Sequence, residues 1–127
     1  MNPNTIAAAG TEHAHQCALF CWAANQQLAD PQYAPLEWLY AVPNGGERNP
    51  IVAARLKAEG VKSGVSDLFL PVPRRSFSGF YIEMKKPGGK ESQNQKDFGA
   101  FVSKNGFLYA CFDHWEKARD GLIWYLT

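Results

Sequence analysis

The sequence predicts a single α/β domain, in which segments typical of helices alternate with segments typical of strands. The chain has 127 residues, of which 46% are hydrophobic, and four of them are tryptophan. A chain of this length and composition can bury a sizeable core and is not typical of disordered proteins. The spacing of its apolar residues indicates the order helix, strand, helix, strand, strand, helix, strand, helix. We therefore expect residues 1–127 to form one domain.

The first half of the chain is predicted to contain two helices with a short strand between them. Residues 11–29 fit a helix that begins at an N-cap threonine and ends before Asp30-Pro31. Residues 37–42 are predicted to form a strand closed by a turn at residues 43–46, and residues 50–59 a second helix. The apolar stripe of the first helix is predicted to comprise Cys17, Cys21, Ala24 and Leu28, broadened by Phe20 and Trp22.

Two apolar segments, residues 64–72 and 79–85, are predicted to pair as a β-hairpin across a short basic break. If the hairpin turns at Arg75, Asp67 lies directly opposite Glu83, with the two Cβ atoms about 5 Å apart. Side chains alternate between the faces of a strand, so the other face of the hairpin is wholly apolar and belongs to the core. That face comprises Leu68, Leu70, Val72, Phe80, Ile82 and Met84.

The second half of the chain continues with a loop, a helix, a strand and a final helix. Residues 86–90 are typical of a loop, residues 92–104 of a helix and residues 107–112 of a short buried strand. The last helix is predicted to begin at Asp113 or His114. The residues of these two helices that we expect to face the core are Phe98, Phe101, Val102, Trp115, Ala118 and Leu122.

The hairpin places two carboxylates and one ammonium on the same patch, at Asp67, Glu83 and Lys85. Two carboxylates so close together repel each other unless a cation lies between them. Mg²⁺ or Mn²⁺ suits such a site, because these ions take oxygen ligands and can polarise a phosphate. The alternative is a surface hairpin with a cross-strand salt bridge, an interaction that contributes little stability.

Positive charge is concentrated in the segment that contains this patch. The net charge of the chain is only +1, but residues 48–104 carry eleven basic and five acidic residues. Residues 1–47 contain four acidic residues and no lysine or arginine. A basic segment around a carboxylate cluster favours a phosphodiester substrate, although an ordinary solvated surface produces the same pattern.

Two further residues are candidates to complete the patch. Glu12, in the first turn of the first predicted helix, is a candidate third carboxylate ligand. The alternative is that Glu12 only complements the helix dipole. Gln95 lies near the start of a later helix, where an amide can hold the attacking water or the scissile phosphate. The alternative for Gln95 is an exposed helical glutamine.

Several basic side chains are candidates for binding a nucleic-acid backbone, or simply for keeping loops solvated. They are Arg74 and Arg75 at the hairpin tip, with Lys86, Lys90 and Lys96 beyond the second strand.

A zinc site is a competing interpretation of the cysteines and histidines. The residues concerned are His13, Cys17, Cys21, Cys111 and His114. The chain has no paired Cys-x-x-Cys motif, and buried cysteine is common as a small hydrophobic residue.

Other classes of function have no sequence support. No segment is long and apolar enough to span a membrane, and the N-terminus does not resemble a signal peptide. Three cysteines without framework spacing favour a reducing compartment, so we expect a cytoplasmic protein. There is no phosphate-loop motif and no nucleophile elbow, so we expect neither a nucleotide cofactor nor acyl chemistry.

Three motifs in order resemble the virus-type replication-repair nuclease (VRR-NUC) domain of the PD-(D/E)xK nuclease superfamily. The first is Gly60-Val61-Lys62-x-Gly64-Val65-Ser66-Asp67-Leu68, the second Tyr81-Ile82-Glu83-Met84-Lys85, and the third Ser92-x-x-Gln95-Lys96. The helix start Thr11-Glu12-x-x-x-Gln16 and the turn at residues 43–46 fit the same domain. The resemblance extends over nearly the whole chain, and is that of a short stand-alone member of the kind carried by bacteriophages and prophages.

The resemblance implies a restriction-endonuclease-like core, with a mixed β-sheet flanked by helices. It implies a metal site formed by Glu12, Asp67, Glu83 and the main-chain carbonyl of Met84. It makes Lys85 the catalytic lysine and Gln95 the polar residue of the following helix. Most members have proline before the aspartate, where this chain has Ser66, and we expect activity to survive because that proline carries no chemistry.

The function implied is that of a Mg²⁺- or Mn²⁺-dependent, structure-selective DNA endonuclease. Stand-alone members resemble Holliday-junction resolvases, so a homodimer acting on branched DNA is expected. The alternatives are a flap, single-strand or restriction-like nuclease, and a non-catalytic DNA-binding accessory protein.

Overall fold

The computed structural model describes residues 2–43 and 49–127, and these residues form helices packed on a four-stranded sheet. The helices are α1 (Pro3–Ala7), α2 (Glu12–Ala29), α3 (Pro50–Ala58), α4 (Gln93–Lys104) and α5 (Trp115–Leu126), with a 3₁₀ helix at Pro31–Trp38. The strands are β1 (Tyr40–Ala41), β2 (Leu68–Leu70), β3 (Phe80–Met84) and β4 (Leu108–Phe112). No helix in this part of the chain is long and apolar enough to cross a membrane.

The sheet is mixed, as predicted, with strand order β1-β2-β3-β4. The two pairings that involve β2 are antiparallel, and β4 lies parallel to β3. In the hairpin Leu68 pairs with Ile82 and Leu70 with Phe80, which confirms the predicted register. β2 is shorter than predicted, because Pro71 follows it directly and proline has no N–H for the ladder.

The hairpin turn is a tight loop closed between Arg74 and Phe77, whose backbone groups exchange two hydrogen bonds of 3.1 and 2.7 Å. Both central residues have positive φ, 51° at Arg75 and 68° at Ser76. This left-handed conformation matches the twist of the flanking strands, as in type I′ turns. The turn pair Arg74–Phe77 is offset by one residue from the register of the strands, since three residues separate Leu70 from Arg74 but only two separate Phe77 from Phe80.

The core lies on one face of the sheet, between the sheet and helices α2 and α5. The apolar face predicted for the hairpin is confirmed, with Val72 only partly buried. The predicted inward face of α5 is also confirmed, and Tyr125 packs its ring 5.1 Å from that of Phe80. The hairpin and α5 residues that are at most 4% exposed are Leu68, Leu70, Phe80, Ile82, Met84, Trp115, Ala118, Leu122 and Tyr125.

The stripe predicted for α2 was wrong. Its buried residues are Ala14, His15, Ala18, Leu19 and Ala23, whereas Leu28 is 84% exposed. The helix is apolar on several sides, so periodicity alone did not fix its inward face. Helix α2 packs against α1, the 3₁₀ helix and α5. The face of α2 that carries alanines turns toward them, because small side chains allow the helices to approach closely.

Three other expectations need correction. The strand predicted at residues 37–42 is reduced to Tyr40–Ala41, because a 3₁₀ helix occupies Pro31–Trp38. Phe101, expected to face inward, is 65% exposed on α4. Helix α1 was not predicted, since five residues carry too little periodicity to be detected. Residues 44–46 of the predicted turn lie outside the described residues.

Candidate active site

Three carboxylates from separate elements meet at the edge of the sheet where β2 begins and β3 ends. They belong to Glu12 in the first turn of α2, Asp67 just before β2, and Glu83 in β3. Each of them offers an oxygen atom that lies within 4.8 Å of the others. The structure therefore brings together all three predicted side-chain ligands, and Glu12 is close enough to act with the other two.

Asp67 is fixed by backbone hydrogen bonds on both sides. Its Oδ2 atom accepts a 2.8 Å hydrogen bond from the N–H of Met84, and its main-chain carbonyl accepts one of 2.7 Å from Val42. The bond from Val42 continues the pairing of β1 with β2 to the residue that precedes β2. The two bonds hold the carboxylate beside Met84, whose main-chain carbonyl remains a predicted ligand.

Glu83 is the buried member of the group, with only 1% of its surface exposed. Its Oε2 atom accepts a 3.0 Å hydrogen bond from the Gln95 amide and lies 3.6 Å from the Lys85 ammonium. Its Oε1 atom has no hydrogen-bond partner among the described residues. This burial rules out the surface salt bridge considered from the sequence, because an exposed pair would keep its carboxylate in water.

Gln95 connects the start of α4 to Glu83. Its side-chain oxygen accepts a 2.8 Å hydrogen bond from the N–H of Ser92, while Ser92 caps the helix in return. Its Nε2 group is thereby directed to Glu83, so the alternative of an exposed, unengaged glutamine is wrong. Since Gln95 contacts a carboxylate that is a candidate ligand, the structure supports a positioning role for its amide.

Burial and mutual repulsion raise the pKa of two of the three carboxyl groups. Desolvation is the largest cause for Glu83, followed by Asp67, whose carboxylate can accept a hydrogen bond from protonated Glu83 and repels its ionised form, and the pKa rises to about 9. Lys85 opposes this increase. Desolvation and then the Asp67 charge also raise the pKa of Glu12. Without a cation, Glu83 therefore holds a proton at neutral pH.

The donor set fits a hard divalent cation such as Mg²⁺ or Mn²⁺. The three side chains offer only oxygen, and a buried carboxylate oxygen without a partner is the group that a cation would satisfy. A cation would also remove the repulsion that keeps Glu83 protonated. Glu12, Asp67 and Glu83 are accordingly the residues that would hold it.

Binding of Mg²⁺ or Mn²⁺ is expected to release about one proton per ion at neutral pH, because Glu83 must ionise to become a ligand. Affinity should therefore rise with pH and level off above about 9. Calorimetric titrations in two buffers of different ionisation enthalpy measure the released proton. Glu116→Gln, the same chemical change at an exposed carboxylate on α5, is the control and should release the same proton. Equal binding enthalpies in both buffers for the wild-type protein would contradict the expectation.

The zinc interpretation finds no support in the described residues. Only Glu12, Asp67 and Glu83 form a group of three or more potential ligands there. The Cys17 sulfur lies 3.5 Å from His13 Nε2 on α2, but no third ligand joins this pair. Two of the other candidates belong to different elements: Cys111 pairs with Glu83 across β3 and β4, and His114 caps α5.

The predicted basic residues divide into two groups. Lys90 and Lys96 line a groove of about 410 Å³ that also contains Cys111, the neighbour of Glu83 on β4. The groove therefore begins beside the carboxylate cluster. Its other lining residues are Gly89, Glu91, Asp113 and Lys117. Lys117 was not predicted, and its only signal in the sequence is the i,i+4 spacing from Asp113.

The hairpin tip is built differently from the groove. The Arg75 guanidinium lies 4.1 Å from the centre of the Trp124 ring and donates a 2.9 Å hydrogen bond to the Trp124 carbonyl. Arg75 therefore anchors the turn to the end of α5. Arg74 donates to the adjacent Pro73 carbonyl and remains exposed, as does Lys86 in its loop.

Tyr109 and Glu91 form a second support for α4 that the sequence did not reveal. The Tyr109 hydroxyl donates a hydrogen bond to Glu91, which directly precedes the helix cap. The Tyr109 ring lies against Gly99, where an added Cβ would come within 2.6 Å of the ring. The glycine thus lets α4 approach the sheet closely enough for Gln95 to reach Glu83.

Ser66→Ala is expected to raise the free energy of unfolding by about 1 kcal/mol, because it removes a buried hydroxyl that lacks a partner. Ser66 is fully buried, and its Oγ atom has no hydrogen-bond partner among the described residues. Urea denaturation, with the exposed Ser78→Ala variant as control, measures the change. Destabilisation by Ser66→Ala alone would show that the hydroxyl makes a favourable contact.

A mixed sheet with helices on both faces and an acidic cluster beside a lysine is the arrangement of PD-(D/E)xK nucleases. The sequence profile of the VRR-NUC domain matches residues 7–113. The chain belongs to the VRR-NUC family, and its domain is a nuclease domain of the PD-(D/E)xK type.

Comparison of structures supports the same fold. A solved structure described as a VRR_NUC domain protein superposes with a TM-score of 0.76 and is 24% identical in sequence. The alignment covers 91% of this chain and 87% of that one. No curated protein matches the chain.

Proposed function

We propose that this protein is a Mg²⁺- or Mn²⁺-dependent DNA endonuclease that hydrolyses phosphodiester bonds at branched structures. The observation that carries the proposal is the partnerless, buried Oε1 of Glu83, grouped with oxygens of Asp67 and Glu12. An isolated acidic cluster of this kind is unfavourable without a cation. The nearby Lys85 ammonium makes the same site suitable for an anionic substrate.

Each side chain has a defined part in the proposed reaction. Glu12, Asp67 and Glu83 would hold the metal ion, which when bound polarises a phosphate oxygen and acidifies the attacking water. Lys85, 15% exposed at its side chain, neutralises charge that develops on the phosphate or helps to deprotonate the water. Gln95 keeps Glu83 oriented through its 3.0 Å hydrogen bond.

Recognition of the DNA would rest on backbone contacts rather than on base edges. Lys90, Lys96 and Lys117 surround the groove that begins next to the carboxylates, and their ammonium groups suit phosphates of the bound strand. Lys86 and Arg74 extend the exposed basic surface. Arg75 contributes indirectly, because its contacts with Trp124 fix the turn that carries Arg74.

The branched substrate proposed is a Holliday junction, resolved by a homodimer in the cytoplasm of a bacterial host of a phage or prophage. A two-fold dimer would present two copies of the site to two strands of one junction. The support for this is the match to the VRR-NUC family.

Cleavage of labelled DNA tests the proposal. A synthetic four-way junction, a flap, a single strand and a linear duplex are each incubated with Mg²⁺, Mn²⁺ or EDTA. Paired nicks near the branch point that require the metal ion and disappear in Glu83→Gln support a junction-resolving nuclease. Cleavage of the flap or the duplex, and not of the junction, would support metal-dependent phosphodiester hydrolysis but contradict the proposed junction substrate. Binding of DNA without cleavage of any substrate would contradict the proposed nuclease activity and favour a DNA-binding accessory protein.

A further inference from the structure

A row of aromatic side chains lies next to the carboxylate cluster on the same face of the sheet. Tyr40 pairs with Phe69, Phe69 with Tyr81, and Tyr81 with Tyr109 across the four strands. Phe69 and Tyr81 are each two residues from Asp67 or Glu83 along their strands, so their side chains point to the same side. The two rows are therefore about 7 Å apart.

The inner part of the row is covered, and its outer end is open. Phe98 of α4 lies over Tyr81 at 5.1 Å, and the Tyr109 ring is packed against Gly99. Tyr40, on the edge strand β1, is 50% exposed. Among the four members of the row, Tyr40 is thus the one that offers a large free surface beside the site.

The Tyr40 ring is held in place by the row behind it. It meets Phe69 edge-on, with ring centres 6.0 Å apart and planes at 82°, and Phe69 stacks on Tyr81 at 4.2 Å. A ring fixed in this way loses little conformational freedom when a flat partner binds. The face of the ring is consequently a preformed surface for stacking. It lies within reach of the nucleotide whose phosphate would bind the metal ion at the carboxylate cluster.

We propose that Tyr40 stacks on an unpaired nucleobase adjacent to the scissile phosphate. The substrate class would then be DNA with at least one unpaired nucleotide at the cut, as at a branch point or flap. This inference rests on the proposed nuclease function. Every nucleobase has a π-face, so such stacking is tolerant of sequence and adds affinity without base readout.

The charge of the neighbouring surface favours a nucleic acid over a second protein at this position. A protein covering Tyr40 would lie beside the partly exposed carboxylate of Asp67 and would have to compensate its desolvation. A DNA strand that binds together with the metal ion places phosphate there instead, and the ion compensates both sets of charges. The test below also distinguishes the case in which a second copy of this chain covers Tyr40.

The test uses 2-aminopurine, an adenine analogue whose fluorescence is quenched by stacking, placed on either side of the bond that the wild-type protein cuts. The probe is bound as a flapped duplex and as the matching full duplex. The protein carries Lys85→Ala, which keeps the metal ligands and slows the chemical step, so that binding is measured before turnover. Tyr40→Ala, Tyr40→Phe and Phe101→Ala are each added to this background, the last removing another exposed ring, on α4.

Tyr40→Ala is expected to relieve the quenching of one 2-aminopurine position and to weaken binding of the flapped duplex about 5- to 150-fold. Tyr40→Phe and Phe101→Ala should keep both the quenching and the affinity. Affinity for the full duplex should be the same in all variants. Circular dichroism confirms that each variant is folded.

Unchanged quenching in Tyr40→Ala would overturn the inference, as would equal losses of affinity for flapped and full duplex. If light scattering shows that Tyr40→Ala instead dissociates a dimer while quenching is unchanged, the ring belongs to a contact between two copies. Failure of the proposed function is seen separately, as absence of cleavage by the wild-type protein on any substrate.

Discussion

Glu83→Gln and Asp67→Asn are each expected to lower the cleavage rate by a factor on the order of a thousand or more, while DNA is still bound. Both changes preserve the size and shape of the side chain but remove a negative charge from the cluster, so metal binding is lost. The hydrogen bonds from Gln95 and Met84 have carbonyl acceptors in the amides as well. Single-turnover cleavage with Mg²⁺ or Mn²⁺, beside a DNA-binding assay, measures the two properties separately.

Glu116→Gln is the matched control for this experiment. It makes the same chemical change on α5, where the carboxylate forms an ion pair with Arg119 and is 44% exposed. Cleavage should be unaffected. Retained cleavage in either Glu83→Gln or Asp67→Asn would contradict the assignment of these carboxylates as metal ligands.

Glu83→Gln is also expected to stabilise the metal-free protein at neutral pH, by an amount of order 1–3 kcal/mol. The folded protein binds the Glu83 proton more tightly than the unfolded chain, with a pKa raised from 4.5 to about 9. Between these values the folded state holds more protons, so wild-type stability falls as pH rises. A neutral glutamine does not titrate and escapes this loss. Urea denaturation in EDTA at several pH values should show the difference between the two proteins vanish near pH 4.5.

Lys85→Ala is expected to slow the chemical step about 10²–10³-fold and to leave metal binding largely intact. Its ammonium lies 3.6 Å from Glu83 Oε2 and is not among the oxygens that would bind the ion. It is therefore free to act on the phosphate or the water. Single-turnover rates at saturating DNA, together with a calorimetric titration of Mn²⁺, distinguish loss of chemistry from loss of metal.

Lys86→Ala provides the comparison for Lys85→Ala, because it removes the next ammonium along the chain. Lys86 is exposed in the loop after β3 and makes no ion pair within the described residues. Its loss should weaken DNA binding slightly and leave the rate at saturating DNA unchanged. If Lys85→Ala also changed only the binding of DNA, Lys85 would be a contact for the backbone and not part of the chemistry.

The positions of Asp67 and Glu83 were predictable because strand pairing is governed by local rules. The apolar alternation on both sides of a short basic break sets which residues face each other, and a one-residue slip would expose the whole core face. Helix ends were equally accessible, since Thr11, Asn49 and Ser92 cap α2, α3 and α4 through side-chain hydrogen bonds.

The sequence by itself determined the hairpin, its register, the helix starts and the residue types of the site, because these depend on neighbouring residues and on period-two alternation. Only the tertiary structure decided that Glu12 reaches the cluster, that Gln95 contacts Glu83, and that Glu83 is buried with an oxygen lacking a described partner. It also decided which face of α2 turns inward. These properties depend on how distant segments pack, and packing selects among helix faces that the local pattern leaves nearly equivalent in energy.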